Sequence, residues 1–182
     1  MIMETLKTEN NQTETRAGMK NEMEIVFDAV SSNESFARTA VAAFAAHMNP
    51  TMEELADIKT AVSEAVTNAI IHGYENFFGY NKHGEARPAY LTLHPGKVRL
   101  HCRLEDGVLS VEVSDNGKGI EDLARAMEPL FTTKPELERS GMGFAFMEAF
   151  MDDLEVESTP GVGTCVHMKK KIGTGSWIAG ED

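Results

Sequence analysis

Residues 97–114 read KVRLHCRLEDGVLSVEVS, and this stretch restricts the fold more than any other. Asp106-Gly107 separates two runs of alternating apolar and polar residues, the pattern of a tight hairpin between strands Lys97–Leu104 and Val108–Ser114. Leu109, Val111 and Val113 alternate with Ser110, Glu112 and Ser114, so one face of the second strand packs and the other is polar. A sheet of this kind needs a layer over one face only.

Two helices can supply that layer. Ser31-Ser32-Asn33-Glu34 fits a capping box, followed by an apolar stripe of Phe36, Ala40, Val41, Phe44 and Met48. Arg38 falls on the opposite, solvent-facing side, and Asn49-Pro50 ends the helix. Thr51 with Glu54 makes a second capping box, ahead of a stripe through Leu55, Ile58, Val62, Ala65, Val66 and Ala69 that stops at Gly73. Further strands are expected at Met23–Phe27, Tyr90–His94, Leu154–Ser158 and Thr164–Lys170, with a short helix near Glu121–Met127 and another over Gly143–Phe150. Strands gathered in hairpins, rather than alternating with helices, predict an α+β two-layer sandwich: a mostly antiparallel mixed sheet with helices on one face.

With 182 residues the chain can bury one real core. Residues 1–20 are polar and aperiodic and read as a disordered tail, 21–171 as the domain, and 172–182 as a glycine-containing tail in which Trp177 is available to dock. Within the domain, 76–89 reads as an irregular loop insertion, and 128–140 has no periodicity. A net charge of −12 opposes nucleic-acid backbones, so a DNA- or RNA-binding role is disfavoured. No apolar run reaches the roughly 20 residues needed to cross a bilayer, and no signal-peptide pattern opens the chain. Cys102 and Cys165 fall in strand-like runs and read as small buried thiols of a cytoplasmic protein; with so few cysteines and scattered histidines, a structural zinc site is not expected.

Three polar clusters remain. Glu64-x-x-x-Asn68 lies along one side of the second helix, off its apolar stripe, with His72 continuing the same line. Asp115-Asn116-Gly117-Lys118-Gly119 follows a strand, and Ser140-Gly141-Met142-Gly143 opens a helix after a long loop. Taken singly, each has an ordinary reading: a solvated Glu–Asn pair, a strand-to-helix turn, a glycine-rich helix start. None is an EF-hand loop, a phosphate loop or a dinucleotide fingerprint, whose spacings they lack.

In this order, however, the clusters resemble the nucleotide-binding boxes of the superfamily that unites gyrase, the ninety-kilodalton heat-shock chaperone, histidine kinases and mismatch-repair proteins, whose fold is the Bergerat type. NESFAR (Asn33–Arg38), EAVTNAIIHGYE (Glu64–Glu75) and PLFTTKPELERSGMGF (Pro129–Phe144) are similar to the anti-sigma serine kinases of spore-forming bacteria, most of all to their anti-sigma-F members. The likeness covers about Met19 to Lys171, and it is interrupted by the 76–89 insertion, which is longer than expected for the family.

The resemblance implies a site for ATP or ADP with magnesium. Asn68 would be the metal ligand and Glu64 the general base. Asp115 would accept the adenine amino group, with Thr164 assisting. Gly117 and Gly119 would let the backbone pass close to base and ribose. Ser140, Gly141, Met142 and Gly143 would face the phosphates, whose charge Lys134 and Arg139 of a 128–140 lid would offset. It also implies a homodimeric anti-sigma factor and protein-serine kinase. Its partners would be a sporulation sigma factor of the F type and an anti-anti-sigma protein that it phosphorylates, with Arg38 on the partner-facing helix. The alternative is a nucleotide-gated sigma-binding module without significant kinase activity.

Overall fold

The computed structural model describes residues 20–74, 96–128 and 142–173. Five strands form one sheet in the order β1-β2-β3-β5-β4: β1 Lys20–Asp28, β2 Lys97–Glu105, β3 Val108–Asp115, β4 Asp153–Thr159 and β5 Gly163–Lys171. All four pairings are antiparallel. Asp106 takes the left-handed conformation at φ 51° and Gly107 at φ 82°, which closes the β2–β3 hairpin where the sequence marks it. The expected strand at Tyr90–His94, the 76–89 insertion, most of the 128–140 segment, residues 1–19 and residues 174–182, with Trp177, lie outside the described residues. Lys20 and Ile172, assigned to the tails, belong instead to the domain: Lys20 opens β1, and Ile172 is buried with its N donating to Gly107 O at 2.9 Å.

Register makes the core. Ile25, Leu100, Val113, Val166 and Val156 are successive cross-strand neighbours, so one apolar row crosses all five strands on one face. That face is covered by α1 (Ser32–Ala45, continued by a 3-10 turn, Ala46–Met48), α2 (Met52–Asn68) and α4 (Gly143–Phe150), which add buried Val41, Ile58, Val62, Val66 and Met147. Helix α3 (Leu123–Ala126) is a single turn. The opposite face carries cross-strand ion pairs such as Arg99 with Glu24 and Lys169 with Asp153.

The capping box predicted for α2 is present: the Thr51 hydroxyl accepts from Glu54 N at 3.1 Å, and the Glu54 carboxylate accepts from Thr51 N at 2.7 Å. The one predicted for α1 is not. Ser31 is itself helical (φ −57°, ψ −28°), which turns its hydroxyl away from the first-turn amides. Glu34 instead accepts a 2.5 Å hydrogen bond from the Ser63 hydroxyl and pairs with Arg38 at 3.5 Å, tying α1 to α2. Phe36, assigned to the apolar stripe, is 51% exposed beside β1, where its ring edge meets Phe27. Cys102 is buried in the core as expected, but Cys165 is only half-buried.

After Asn68 the chain does not continue as α-helix. Ala69–Gly73 form a π-helical turn, so the line drawn from Glu64 through Asn68 to His72 does not keep its four-residue spacing to the end.

Candidate nucleotide-binding site

The row next to the apolar one ends in polar groups. Phe27 and Val98 are followed on the same inner face by Asp115, Thr164 and Ser158 as cross-strand neighbours. Three polar side chains on a core-facing row need partners, and they have them. The Ser158 hydroxyl lies 2.9 Å from that of Thr164, donates to Gly163 O at 3.1 Å and accepts from Ile120 N at 2.8 Å. Asp115, 8% exposed, accepts from Gly117 N at 2.8 Å. Burial pushes its carboxyl above the ordinary value, and the amides of Gly117 and Thr164 pull it partly back.

The turn that follows α2 is pinned to this loop. Lys118 N donates to Gly73 O at 2.9 Å. The buried Tyr74 hydroxyl donates to Lys97 O at 2.6 Å and accepts from Asn116 N at 2.9 Å, bridging β2 to the loop after β3. Close packing fixes the glycines. A Cβ on Gly73 would stand 2.8 Å from Asp115 Oδ1, and one on Gly117 would stand 2.2 Å from Gly73 O. Gly119 combines φ 68° with a Cβ position 2.2 Å from Thr159 O. The protein's own backbone therefore already requires Gly117 and Gly119, apart from any approach to a base or ribose.

These elements surround a cavity of about 470 Å³. Of the residues singled out in the sequence, Asn68, Asp115, Gly119, Gly143 and Thr164 line it, and so does His72. Glu64 and Gly117 are not among the residues that line it. Glu64 reaches the same place as Asn68, because a Cβ on Gly143 would lie 3.2 Å from both Glu64 Oε2 and Asn68 Nδ2. The first turn of α4 thus starts against a carboxylate and a carboxamide, both half-buried. Met142 occupies the N-cap without a side-chain cap bond, and its carbonyl accepts from Phe146 N at 2.8 Å. Lys134, Arg139, Ser140 and Gly141 lie outside the described residues. Arg38 is on α1 with its guanidinium half-exposed, and it does not line the cavity.

Gly73, Tyr74 and Ser158 were missed in the sequence. Tyr74 and Ser158 act through backbone groups far along the chain, which no local pattern announces. Gly73 was read only as a helix stop.

The histidine kinase-like ATPase domain family matches residues 29–170. The chain belongs to that family. Membership makes this a nucleotide-binding domain, and the cavity at Asp115 and Asn68 is where its polar groups gather. The chain is 54% identical to the anti-sigma F factor of Bacillus licheniformis over 154 residues, covering 85% of this chain and 94% of that one. It is 55% identical to the anti-sigma F factor of Thermoanaerobacter sp. (strain X514) and 53% identical to that of Bacillus subtilis (strain 168), with 85% of this chain covered in each case and 96% and 94% of the relatives. A crystal structure of the RsbU and RsbW domains of a Mycobacterium tuberculosis protein superposes with a TM-score of 0.56 at 20% identity, covering 84% of this chain and 32% of that one, a likeness of fold. No helix among the described residues is long and apolar enough to cross a membrane.

Proposed function

We propose that this chain is an anti-sigma factor and protein-serine kinase. It binds a magnesium adenine nucleotide in the cavity, holds a sporulation sigma factor of the F type inactive, and phosphorylates an anti-anti-sigma protein on serine. The observation that carries the reading is the meeting of Glu64 and Asn68 at the start of α4, in a site that also holds the buried carboxylate of Asp115. The three relatives named above are anti-sigma F factors, and they supply the sigma factor.

The donor set suits a hard cation. Asn68 offers a carboxamide oxygen and Glu64 a carboxylate, both half-buried, and oxygen donors are what magnesium takes. Asn68 would hold magnesium, and the bound nucleotide supplies the phosphoryl group for transfer. Glu64, one helical turn earlier, accepts the proton of the acceptor hydroxyl; positioning carries most of the barrier reduction in such a transfer. The amides of the first turn of α4, together with Ser140 and Gly141, are assigned to the phosphates, and Lys134 and Arg139 to offsetting their charge.

Asp115 accepts a hydrogen bond from the adenine amino group. Guanine presents a carbonyl there and would leave a buried charged acceptor unmatched, at about 1.5–3 kcal/mol, or roughly 10- to 150-fold in affinity. Thr164, held by Ser158, stands beside Asp115 in register and completes this end. Arg38 on α1 contacts the protein partners. A homodimer fits the edge strand β1 of the described sheet, which carries exposed Val26 and has exposed Phe36 of α1 beside it. Two free thiols fit a cytoplasmic setting.

A Glu64→Ala variant tests the kinase. It should bind ATP and the sigma factor as the wild type does, yet leave the anti-anti-sigma protein without phosphoserine by mass spectrometry. Wild-type protein that transfers no phosphate to that substrate would reduce the assignment to a nucleotide-gated binding module. Equal affinity for guanine and adenine nucleotides would remove Asp115 from the base.

A further inference from the structure

The proposed function uses the inner face of the sheet. The outer face carries a second cluster of a different kind. Strand register sets Glu112 on β3 directly opposite His167 on β5, and Cys165 two residues before His167 projects from the same face. Cys165 Sγ lies 3.3 Å from His167 Nε2, and His167 Nδ1 lies 3.6 Å from Glu112 Oε2. One donor atom from each of the three falls within 4.8 Å of the others, and all three residues are half-buried.

We propose that Glu112, Cys165 and His167 form a site for a borderline-soft divalent cation of the zinc type, with a fourth position left to water. A thiolate, an imidazole and a carboxylate are the donors zinc takes, at about 2.3, 2.0–2.1 and 2.0–2.2 Å. Tetrahedral sulfur and nitrogen ligands at those bond lengths stand about 3.5 Å apart, close to the separation already present between Cys165 and His167. Magnesium and calcium, which prefer all-oxygen shells, do not suit it. Strand β5 presents two of the ligands and its hydrogen-bonded neighbour β3 the third, with one donor atom of each within 4.8 Å of the others.

Charge around the cluster favours a cation. Glu157 is the cross-strand neighbour of Cys165, and Glu155 that of His167. On the far side, His101 sits next to Glu112 in register and is held 2.6 Å from Glu22. In the apo protein, burial and the neighbouring carboxylates keep the Cys165 thiol protonated, its pKa pushed up to about 12. Binding releases that one proton to solvent as the metal–sulfur bond forms. Cys102, buried on the inner face, cannot take part and serves as the internal control.

The experiment uses the full chain, free of nucleotide, titrated with zinc chloride by calorimetry and with cobalt(II) by absorption. The expected result is one ion per chain with a thiolate-to-cobalt charge-transfer band. That band should be lost in Cys165→Ser and kept in Cys102→Ser, with zinc affinity falling by roughly 10-fold or more in His167→Ala. Melting curves without metal show whether each variant is folded, and Glu112→Gln gives a milder substitution at the third ligand. Absence of binding, or zinc binding unchanged by both Cys165→Ser and His167→Ala, overturns the proposal.

Discussion

Gly117→Ala is the perturbation that tests how the loop after β3 is seated. The added Cβ would sit 2.2 Å from Gly73 O, 2.5 Å from Gly73 C and 2.7 Å from Gly73 Cα. Ordinary contact begins near 3.4 Å, so the two segments must part by roughly 1 Å, and both sides of the clash are backbone. Overpacking of this kind costs about 1–3 kcal/mol. The separation also breaks the 2.9 Å bond from Lys118 N to Gly73 O, for about 0.5–1.5 kcal/mol more. In a domain of this size that total should lower Tm by roughly 5–15 °C.

Because Asp115 accepts from Gly117 N, the same shift should disturb the carboxylate proposed to bind the base and weaken ADP binding measured by calorimetry. The matched control is Gly161→Ala. Gly161 has φ 77° but nothing within 4 Å of its would-be Cβ, so only conformational strain of about 1–2 kcal/mol applies and ADP affinity should hold. Urea unfolding of both variants decides the matter. If Gly117→Ala matches wild type within about 0.5 kcal/mol, or if Gly161→Ala loses ADP affinity equally, the packing explanation is wrong.

Tyr74→Phe removes a hydroxyl that serves both Lys97 O and Asn116 N, and leaving those groups unpaired should cost about 1–3 kcal/mol by urea unfolding with the fold retained. The Asp115 carboxyl, raised by burial, binds its proton more tightly folded than unfolded; its charged form therefore penalises the fold, a penalty fully present above the raised value and absent below the ordinary one near 3.8. If Asp115 holds adenine as proposed, binding needs the charged acceptor, so ADP affinity should begin to fall at a higher pH than an ordinary carboxylate would dictate as solutions are acidified. Asp115→Asn should lose most of that affinity and, with it, this part of the pH dependence, as followed by calorimetry across pH.

The sheet was legible because Leu109, Val111 and Val113 alternate in a strand half-buried on one side, and because Asp106-Gly107 permits only a tight turn. The α2 cap was legible for a similar reason: Thr51 and Glu54 satisfy each other within four residues. The α1 cap failed because Ser31 entered the helix early while Glu34 found a better partner in Ser63, a choice made by tertiary packing. At the site, Asn68, Asp115 and Thr164 could be named from the family resemblance of the motifs that hold them, whereas Tyr74 and Ser158 could not, since each satisfies amides or carbonyls brought near only by the finished fold. The outer-face cluster was hidden too. Cys165 and His167 lie two residues apart on one face of the strand, but Glu112 joins them only through register.

The widened turn at Ala69–Gly73 carries a consequence for how this chain tolerates change. Shortening it by one residue, at Ile70 or Ile71, would let the helix wind evenly, and by propensity alone the segment would improve. It would also swing Gly73 about 100° around the axis, taking its carbonyl from Lys118 and its bare Cα from Asp115. Helical regularity and reach toward the loop are alternatives at this point, and the chain has the second; a single-codon deletion there should yield a tidier helix and an empty-handed protein.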